Sequence, residues 1–177
     1  ICIVTDSTAD LPIEYIREYN IGVVPLKVLF GDKEYLDRVT ITTEEFYGKL
    51  TESKVFPKTS QPSPRDFYNI YQKLGEENKT IISIHLSSKL SGTYQSAEIA
   101  KSNLPDLDIH VVDSKAGSMV LGMIVIEAAR ACKEGKNLEQ VLGLINNLID
   151  NIKVYFLLDT LEYLEKGGRI GKASAFL

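Results

Sequence analysis

The stretch "TIISIHLSSKLSGTYQSAEIAKSN" (80–103) decides the fold, because it holds a largely apolar run, a polar loop and a helical pattern in that order. Its first part, 80–86, is rich in β-branched side chains, which is typical of a strand buried on both faces of a parallel sheet. Its last part, 93–103, has helical composition. A strand that leads through a polar loop into a helix is the repeating unit of an α/β protein.

Two further segments repeat this unit. "ICIVT" (1–5) is an apolar run followed by the polar turn "DSTADLP" and a helical pattern, for which Asp10 is the expected N-cap. "DIHVVD" (108–113) precedes a long helical pattern that Gly135 closes. The sequence therefore predicts an α/β protein with a mainly parallel central sheet flanked by helices.

Two segments depart from this alternation. Residues 22–40 hold two strand patterns around a Gly-Asp pair, which predicts a small β-hairpin insertion. "KVYFLLD" (153–159) predicts one more strand, and a short helical pattern follows it. We therefore expect an N-terminal α/β domain over residues 1–152 and the beginning of a second α/β domain over residues 153–177.

Composition places the chain among globular proteins. Of its 177 residues, 44% are hydrophobic and 25% are charged, and the net charge is −4. Because nucleic acids bind to concentrated basic faces, the scattered basic residues argue against such a partner. The longest uncharged apolar stretch (117–126) is too short to span a bilayer, so no stable membrane insertion is expected. Cys2 and Cys132 are expected to be reduced, buried thiols, and the expected location is the cytoplasm.

The two ends of the chain are unusual for a complete domain. The chain opens inside a strand pattern without a methionine, and it stops at "ASAFL" (173–177) on an apolar helical pattern that has no cap. An apolar helix face needs a partner to pack against. The expectation is a fragment of a longer protein that lacks a C-terminal part.

Polar side chains concentrate where strands lead into helices. "TDSTAD", "SSKLSGT" and "DSKAGS" each follow the carboxyl end of a predicted parallel strand, which is the edge where α/β sheets bind ligands. "KTSQPS" (58–63) enters a helix instead, so only tertiary folding could bring it to the same edge. A helix N-terminus presents unpaired N–H groups and positive partial charge, which together favour an anion.

The residue types at these positions suit a carboxylate. Ser91 offers a hydroxyl donor, Gly92 lets the backbone approach closely, and Thr59 brings a second hydroxyl. A triphosphate would usually recruit lysine, arginine or Mg²⁺. A structural alternative stays open, in which Ser63, Ser91 and Thr93 are helix N-caps and the other polar residues form turns.

Other chemistries lack their residues in this sequence. "GGRIGKAS" (167–174) is one residue short of a phosphate loop and has Ala173 where Ser or Thr would bind Mg²⁺. No cysteine and histidine cluster suggests a metal, and no cofactor motif follows a strand, so neither is expected. The runner-up function is a hydrolase of acyl esters with Ser91 as nucleophile and His85 as base. A hydrogen-bonded structural role is the commoner outcome for a strand histidine.

Five motifs in this chain resemble those of the DegV family. They occur in the family's order and at about its spacing: "VTDSTADLP" (4–12), "KTSQPSPRDF" (58–67), "SSKLSGTYQSA" (87–97), "VVDSKAGSMVLG" (111–122) and "LEYLEKGGRIGKASAFL" (161–177). The resemblance covers the whole chain. It implies a non-catalytic bacterial protein that binds a long-chain fatty acid and presents it to the catalytic subunit of a fatty acid kinase. That kinase makes acyl phosphate for phospholipid synthesis, and the family has a further C-terminal portion.

Carried over by motif, the resemblance implies roles for individual residues. Thr59 and Ser91 would hold the fatty-acid carboxylate, with the Gly92 N–H as a helper. Arg169 of "GGRI" is similar to an arginine linked in the family to work with the kinase. Val120 departs from the family pattern, in which a glycine is usual, and a β-branched side chain there could narrow the pocket.

Overall fold

A computed structural model describes residues 1–77, 80–155, 157–169 and 171. In chain order its elements are β1 (Cys2–Asp6), a 3₁₀ turn (Ser7–Ala9), α1 (Ile13–Glu18), β2 (Gly22–Val24), β3 (Lys27–Phe30), β4 (Lys33–Leu36), α2 (Thr43–Glu52), β5 (Lys58–Ser60), α3 (Pro64–Gly75), β6 (Thr80–His85), α4 (Thr93–Ser102), β7 (Asp108–Asp113), α5 (Ser118–Lys133), α6 (Leu138–Asn151) and α7 (Glu162–Lys166).

The central sheet has four parallel strands in the order β2-β1-β6-β7. Side chains alternate between its two faces, as the two-residue period of a strand requires. Ile3 and Ile82 pack against α5 and α6 on one face, whereas Val4 and Ile81 pack against α3 and α4 on the other. Because both faces are covered, the near-continuous apolar strand pattern is explained, and the predicted α/β architecture is confirmed.

A smaller antiparallel sheet has the order β4-β3-β5. The turn between β3 and β4 contains Gly31 with φ of 60°, a conformation that glycine adopts without steric cost. The hairpin therefore occupies residues 27–36, since Gly22–Val24 pairs with β1 in the central sheet. Thr59 of β5 pairs with Val28 of β3, and this pairing carries "KTSQPS" to the ligand edge of the central sheet.

Two helices begin with a reciprocal capping box, and a third begins at a residue other than the predicted one. Thr42 and Ser63 cap α2 and α3, each in a reciprocal capping box. The prediction of Asp10 as the N-cap of α1 is wrong, because Pro12 takes that position. The Asp10 carboxylate instead accepts hydrogen bonds from Arg38 and from Ser118 Oγ (2.7 Å).

The strand predicted at 153–159 is wrong for its described residues, 153–155 and 157–159, which form no strand. Tyr155 is 89% exposed and Leu157 is 95% exposed, so these apolar side chains have no sheet to join. The short helix that follows is confirmed as α7. The division at residue 152 stays a prediction, and "ASAFL" (173–177) lies outside the described residues.

Cys2 is buried and Cys132 is half-buried, and both are free thiols. Burial raises the pKa of each thiol, so neither is an activated nucleophile. Among the helices that the structure describes, none is both long and apolar enough to cross a bilayer.

Candidate functional site

A cavity of about 600 Å³ lies at the carboxyl edge of the central sheet, a size within the usual range for small-molecule pockets. Most of its lining is apolar: Leu26, Leu86, Leu90, Ala116, Gly117, Met119, Val120, Val154, Leu158 and Leu164. Its polar lining side chains are Thr8, Thr59, Gln61, Ser91, Ser118 and Arg169. An apolar chamber with a few convergent polar groups suits an amphiphilic ligand.

The cavity brings together site residues that the sequence places on different elements. Thr59 arrives on β5, Ser91 lies in the loop after β6, and Arg169 follows α7. Gly92, the fourth predicted residue, is the N-cap of α4 and adjoins Ser91. Sequence reasoning missed Thr8, Gln61 and Ser118 as lining residues, although each lies within a polar stretch noted above.

The start of α4 tests the alternative in which Ser91 is a helix N-cap. The N-cap is Gly92, and no side chain caps the helix. Ser91 Oγ lies 2.9 Å from Thr93 Oγ1 and accepts only a long contact of 3.4 Å from the Thr93 N–H. The structural alternative is therefore wrong for Ser91 and Thr93, which do not cap α4, and is confirmed for Ser63, the N-cap of α3. An uncapped helix start beside the cavity favours an anionic group.

The loop that carries Ser91 is held by its neighbours. The Ser87 N–H donates to the Ala116 carbonyl at 2.8 Å, and the Ser88 N–H donates to the Asp113 carboxylate at 3.2 Å. The Ser91 N–H in turn donates to the Ser87 carbonyl at 3.2 Å. Because these bonds hold the Ser91 hydroxyl in place before any ligand arrives, binding would cost little ordering entropy.

Arg169 joins the α7 segment to this loop. Its Nε donates to the Leu90 carbonyl at 3.4 Å, across 79 residues of sequence, and its Nη1 donates to the carbonyl of Gly167, the C-cap of α7. The guanidinium is half-buried and lines the cavity. Arg169 therefore places a positive charge on the cavity wall and also caps a helix end.

His85 does not face Ser91. It belongs to a set of hydrogen-bonded side chains that is buried except at half-buried Thr8, and in which Nδ1 lies 3.0 Å from Asp6 Oδ2 and Nε2 lies 2.6 Å from Ser83 Oγ. Tyr71 donates to Ser83 Oγ at 2.7 Å, and Thr8 donates to Asp6 Oδ1. We call Tyr71, Ser83, His85, Asp6 and Thr8 the buried polar network.

The buried polar network perturbs the ionisation of its members. Burial alone would raise the pKa of the Asp6 carboxyl, but hydrogen bonds from His85, Thr8 and the Leu86 N–H outweigh burial and hold that pKa below its ordinary value. Burial raises the pKa of the Tyr71 hydroxyl, so Tyr71 remains a neutral donor. The Asp6 carboxylate is therefore the anion of the network.

The network has the bonding order of a Ser-His-Asp triad without its accessibility. Ser83 and His85 are each 0% exposed, and neither lines the cavity. The hydroxyl of Ser91 contacts Thr93 instead of His85. The geometry does not bring together the nucleophile and base that the hydrolase alternative requires.

Two positions on α5 show where a glycine is needed and where it is not. A Cβ on Gly122 would lie 2.4 Å from the backbone oxygen of Ala9, so the helix can approach only with glycine there. Val120 is half-buried and lines the cavity, so its side chain occupies space that a glycine would leave open. Among the described residues, no group of three or more metal-ligating side chains is placed to hold a metal ion.

Comparison with known proteins gives consistent matches. The family model described as "Uncharacterised protein, DegV family" matches residues 1–177. A DegV domain-containing protein of Clostridium acetobutylicum is 41% identical over 175 residues, which cover 98% of this chain and 62% of the relative. The chain thus spans about three fifths of that relative's length.

Two solved structures share the fold closely. A DegV family protein from Thermus thermophilus, described for its fatty acid binding, matches with a TM-score of 0.90 and 44% identity, covering 99% of this chain and 62% of that one. A stearic acid-binding protein from Eubacterium ventriosum matches with a TM-score of 0.86 and 33% identity, covering 97% and 60%.

Proposed function

This chain belongs to the DegV family, and we propose that it binds a long-chain fatty acid whose carboxylate is held by the hydroxyls of Thr59 and Ser91. The observation that carries the proposal is that both hydroxyls meet in one largely apolar cavity. The fatty acid binding described for the Thermus thermophilus protein and the stearic acid named for the Eubacterium ventriosum protein support the same class of ligand.

The acyl tail and the carboxylate head group contribute to the binding free energy in different ways. Burying a sixteen-carbon chain at ~0.8 kcal/mol per methylene contributes about 11 kcal/mol gross. Association and ordering costs offset a large part of this. Each hydrogen bond to a charged carboxylate contributes about 1.5–3 kcal/mol net. The apolar lining therefore provides affinity, while the hydroxyls orient the chain and satisfy an anion that would be costly to bury unpaired.

The surroundings of the two hydroxyls suit a negative head group. The uncapped start of α4 presents backbone N–H groups, including that of Gly92, and carries positive partial charge. Arg169 adds a full positive charge on the cavity wall. Because these groups are polar donors, the proposed site needs no metal ion or cofactor.

We further propose that the protein is the acyl-presenting, non-catalytic partner of a fatty acid kinase in the cytoplasm. Arg169 lies in a glycine-rich turn beside the proposed head-group site, where a guanidinium could dock a partner or steady a developing phosphate. Leu158, which lines the cavity together with Arg169, is 44% exposed. Exposed apolar area next to a binding site is typical of a contact surface.

Ligand detection and displacement test the proposal directly. We expect mass spectrometry of the gently purified intact protein to find a co-purified long-chain fatty acid, and added palmitic acid to displace a fluorescent fatty acid. Methyl palmitate should compete more weakly, because it cannot present an ionised carboxylate. Absence of any fatty acid together with equal competition by acid and ester would refute it. Turnover of p-nitrophenyl esters that Ser91→Ala abolishes would support the hydrolase instead.

A further inference from the structure

Gln61 stands out among the polar residues of the cavity because its hydrogen-bonding groups are unused. Four polar lining side chains already have protein partners: Thr8 bonds to Asp6, Ser91 to Thr93, Ser118 to Asp10 and Arg169 to two backbone carbonyls. Within the described part of the chain, the side chains of Thr59 and Gln61 have no hydrogen-bond partner.

Gln61 directly follows β5, and its side chain lines the same cavity as that of Thr59. Side chains two residues apart on an extended strand lie on one face, whereas the residue between them faces the other way. Thr59 and Gln61 both line the cavity, and Ser60 does not. The proposed head-group hydroxyl and the Gln61 amide therefore belong to one surface.

The contact with Gly92 locates the Gln61 amide. A Cβ on Gly92 would lie 2.5 Å from Nε2, 2.9 Å from Cδ and 3.2 Å from Oε1 of Gln61. Since all these amide atoms approach one point, the amide packs closely against the Gly92 backbone. Gly92 has φ of −78°, which any residue adopts, so the need for glycine is the space taken by this amide.

We infer that Gln61 is a specificity-determining residue of the proposed fatty-acid site, where its Nε2–H donates to the second oxygen of a carboxylate. A carboxylate has two oxygens that accept up to four hydrogen bonds, more than the hydroxyls of Thr59 and Ser91 supply. Gln61 completes this set and selects ionised acids over alcohols of the same chain length. The inference rests on the proposed function.

The test compares palmitic acid with 1-hexadecanol on variants of the intact protein. Gln61→Glu replaces the donor by an anion and should weaken palmitate binding by more than about tenfold, while hexadecanol binding changes little. Gln61→Met keeps the length without the amide and should weaken palmitate about tenfold. Ser60→Ala, on the opposite face, and Gln95→Glu, with the same charge change on α4, should bind both ligands like wild type.

A second arm uses the contact with Gly92. Gly92→Ala should displace the amide and weaken palmitate binding, and adding Gln61→Met to it should cause no further loss. If wild-type protein binds palmitate and both Gln61 variants bind it as tightly as Ser60→Ala does, the role of Gln61 is overturned and the proposed function stands. Equal losses for acid and alcohol overturn it too. Wild-type protein that binds neither ligand overturns the proposed function itself.

Discussion

Two polar clusters in this molecule contain similar chemistry but differ in how much of it is used. The buried polar network lies beneath the sheet edge. Its buried side-chain nitrogen and oxygen atoms are all hydrogen-bonded, as are the other buried side-chain nitrogen and oxygen atoms of the described residues. The cavity residues Thr59 and Gln61 lie beside it, exposed and without partners among the described residues. The difference teaches that the role of a hydroxyl, amide or carboxylate depends on its burial and on its existing hydrogen bonds, because a ligand needs groups that can still form one more bond.

The largest expected effect breaks the buried polar network. Asp6→Asn removes a fully buried negative charge. It also replaces one carboxylate oxygen, which accepts hydrogen bonds, by an NH₂ group that would face other donors. The unfolding free energy should therefore fall by about 3–5 kcal/mol. Asp108→Asn is the matched control, because Asp108 pairs with His110 at 2.7 Å on the exposed surface. Urea unfolding measures both variants, and equal losses would contradict the comparison.

The pH dependence of stability sharpens the same contrast. Because the pKa of Asp6 is lower in the folded than in the unfolded chain, its contribution to stability is present above about pH 4 and is lost as pH falls through the folded pKa. The difference in unfolding free energy between wild type and Asp6→Asn should therefore be constant from about pH 7 to pH 5 and shrink in stronger acid. Urea titrations from about pH 7 into acid measure it, and a difference that grows as the pH falls below about pH 4 would contradict the assignment.

An intermediate effect is expected at the cavity. Thr59→Ala and Ser91→Ala should each weaken fatty-acid binding by about 1.5–3 kcal/mol with little change in melting temperature, because neither side chain supports the core. Their double-mutant cycle should be non-additive, since both hydroxyls act on one carboxylate. Fluorescence displacement with palmitic acid and its methyl ester measures this on the same four proteins. Identical responses of acid and ester would contradict the carboxylate clamp.

The smallest effect on ligand affinity is expected at Arg169. Arg169→Ala should leave fatty-acid binding nearly intact and lower acyl-phosphate production with the proposed kinase partner, because the guanidinium already bonds to two backbone carbonyls and its proposed role is in the reaction with that partner. Assays of binding, kinase turnover and thermal melting separate this role from a purely structural one. If melting temperature falls together with activity, the bonds of Arg169 to the Leu90 and Gly167 carbonyls are its main function.

Several elements could be predicted because their signals are local. The apolar runs of β1, β6 and β7, the Gly31 turn and the N-cap at Ser63 all depend on neighbours within a few residues. The predictions that failed depended on distant partners. The Asp10 carboxylate bonds to Arg38 and Ser118 instead of capping α1. Residues 153–159 have the composition of a strand, but their described residues have no neighbouring strand to pair with.

The candidate site divides in the same way. Thr59, Ser91, Gly92 and Arg169 were identified from motifs, yet no motif specifies that Thr59 and Ser91 share a cavity. That proximity depends on β5 pairing with β3, beside the end of β6. Gln61 went unassigned because its role follows from the space at Gly92, which has no signature in the sequence.

The sequence by itself determined the α/β architecture, the hairpin and the polar loops at the strand ends, because hydrophobic period, turn residues and caps act locally. Tertiary structure alone decided which polar groups form hydrogen bonds within the protein and which do not. Asp6 and His85 are 79 residues apart in the chain, and their contact forms only when β1 and β6 lie side by side. Because hydrogen-bond satisfaction is a property of packed neighbours, the histidine that could have been a catalytic base is a structural one, and packing leaves the side chains of Thr59 and Gln61 without partners among the described residues.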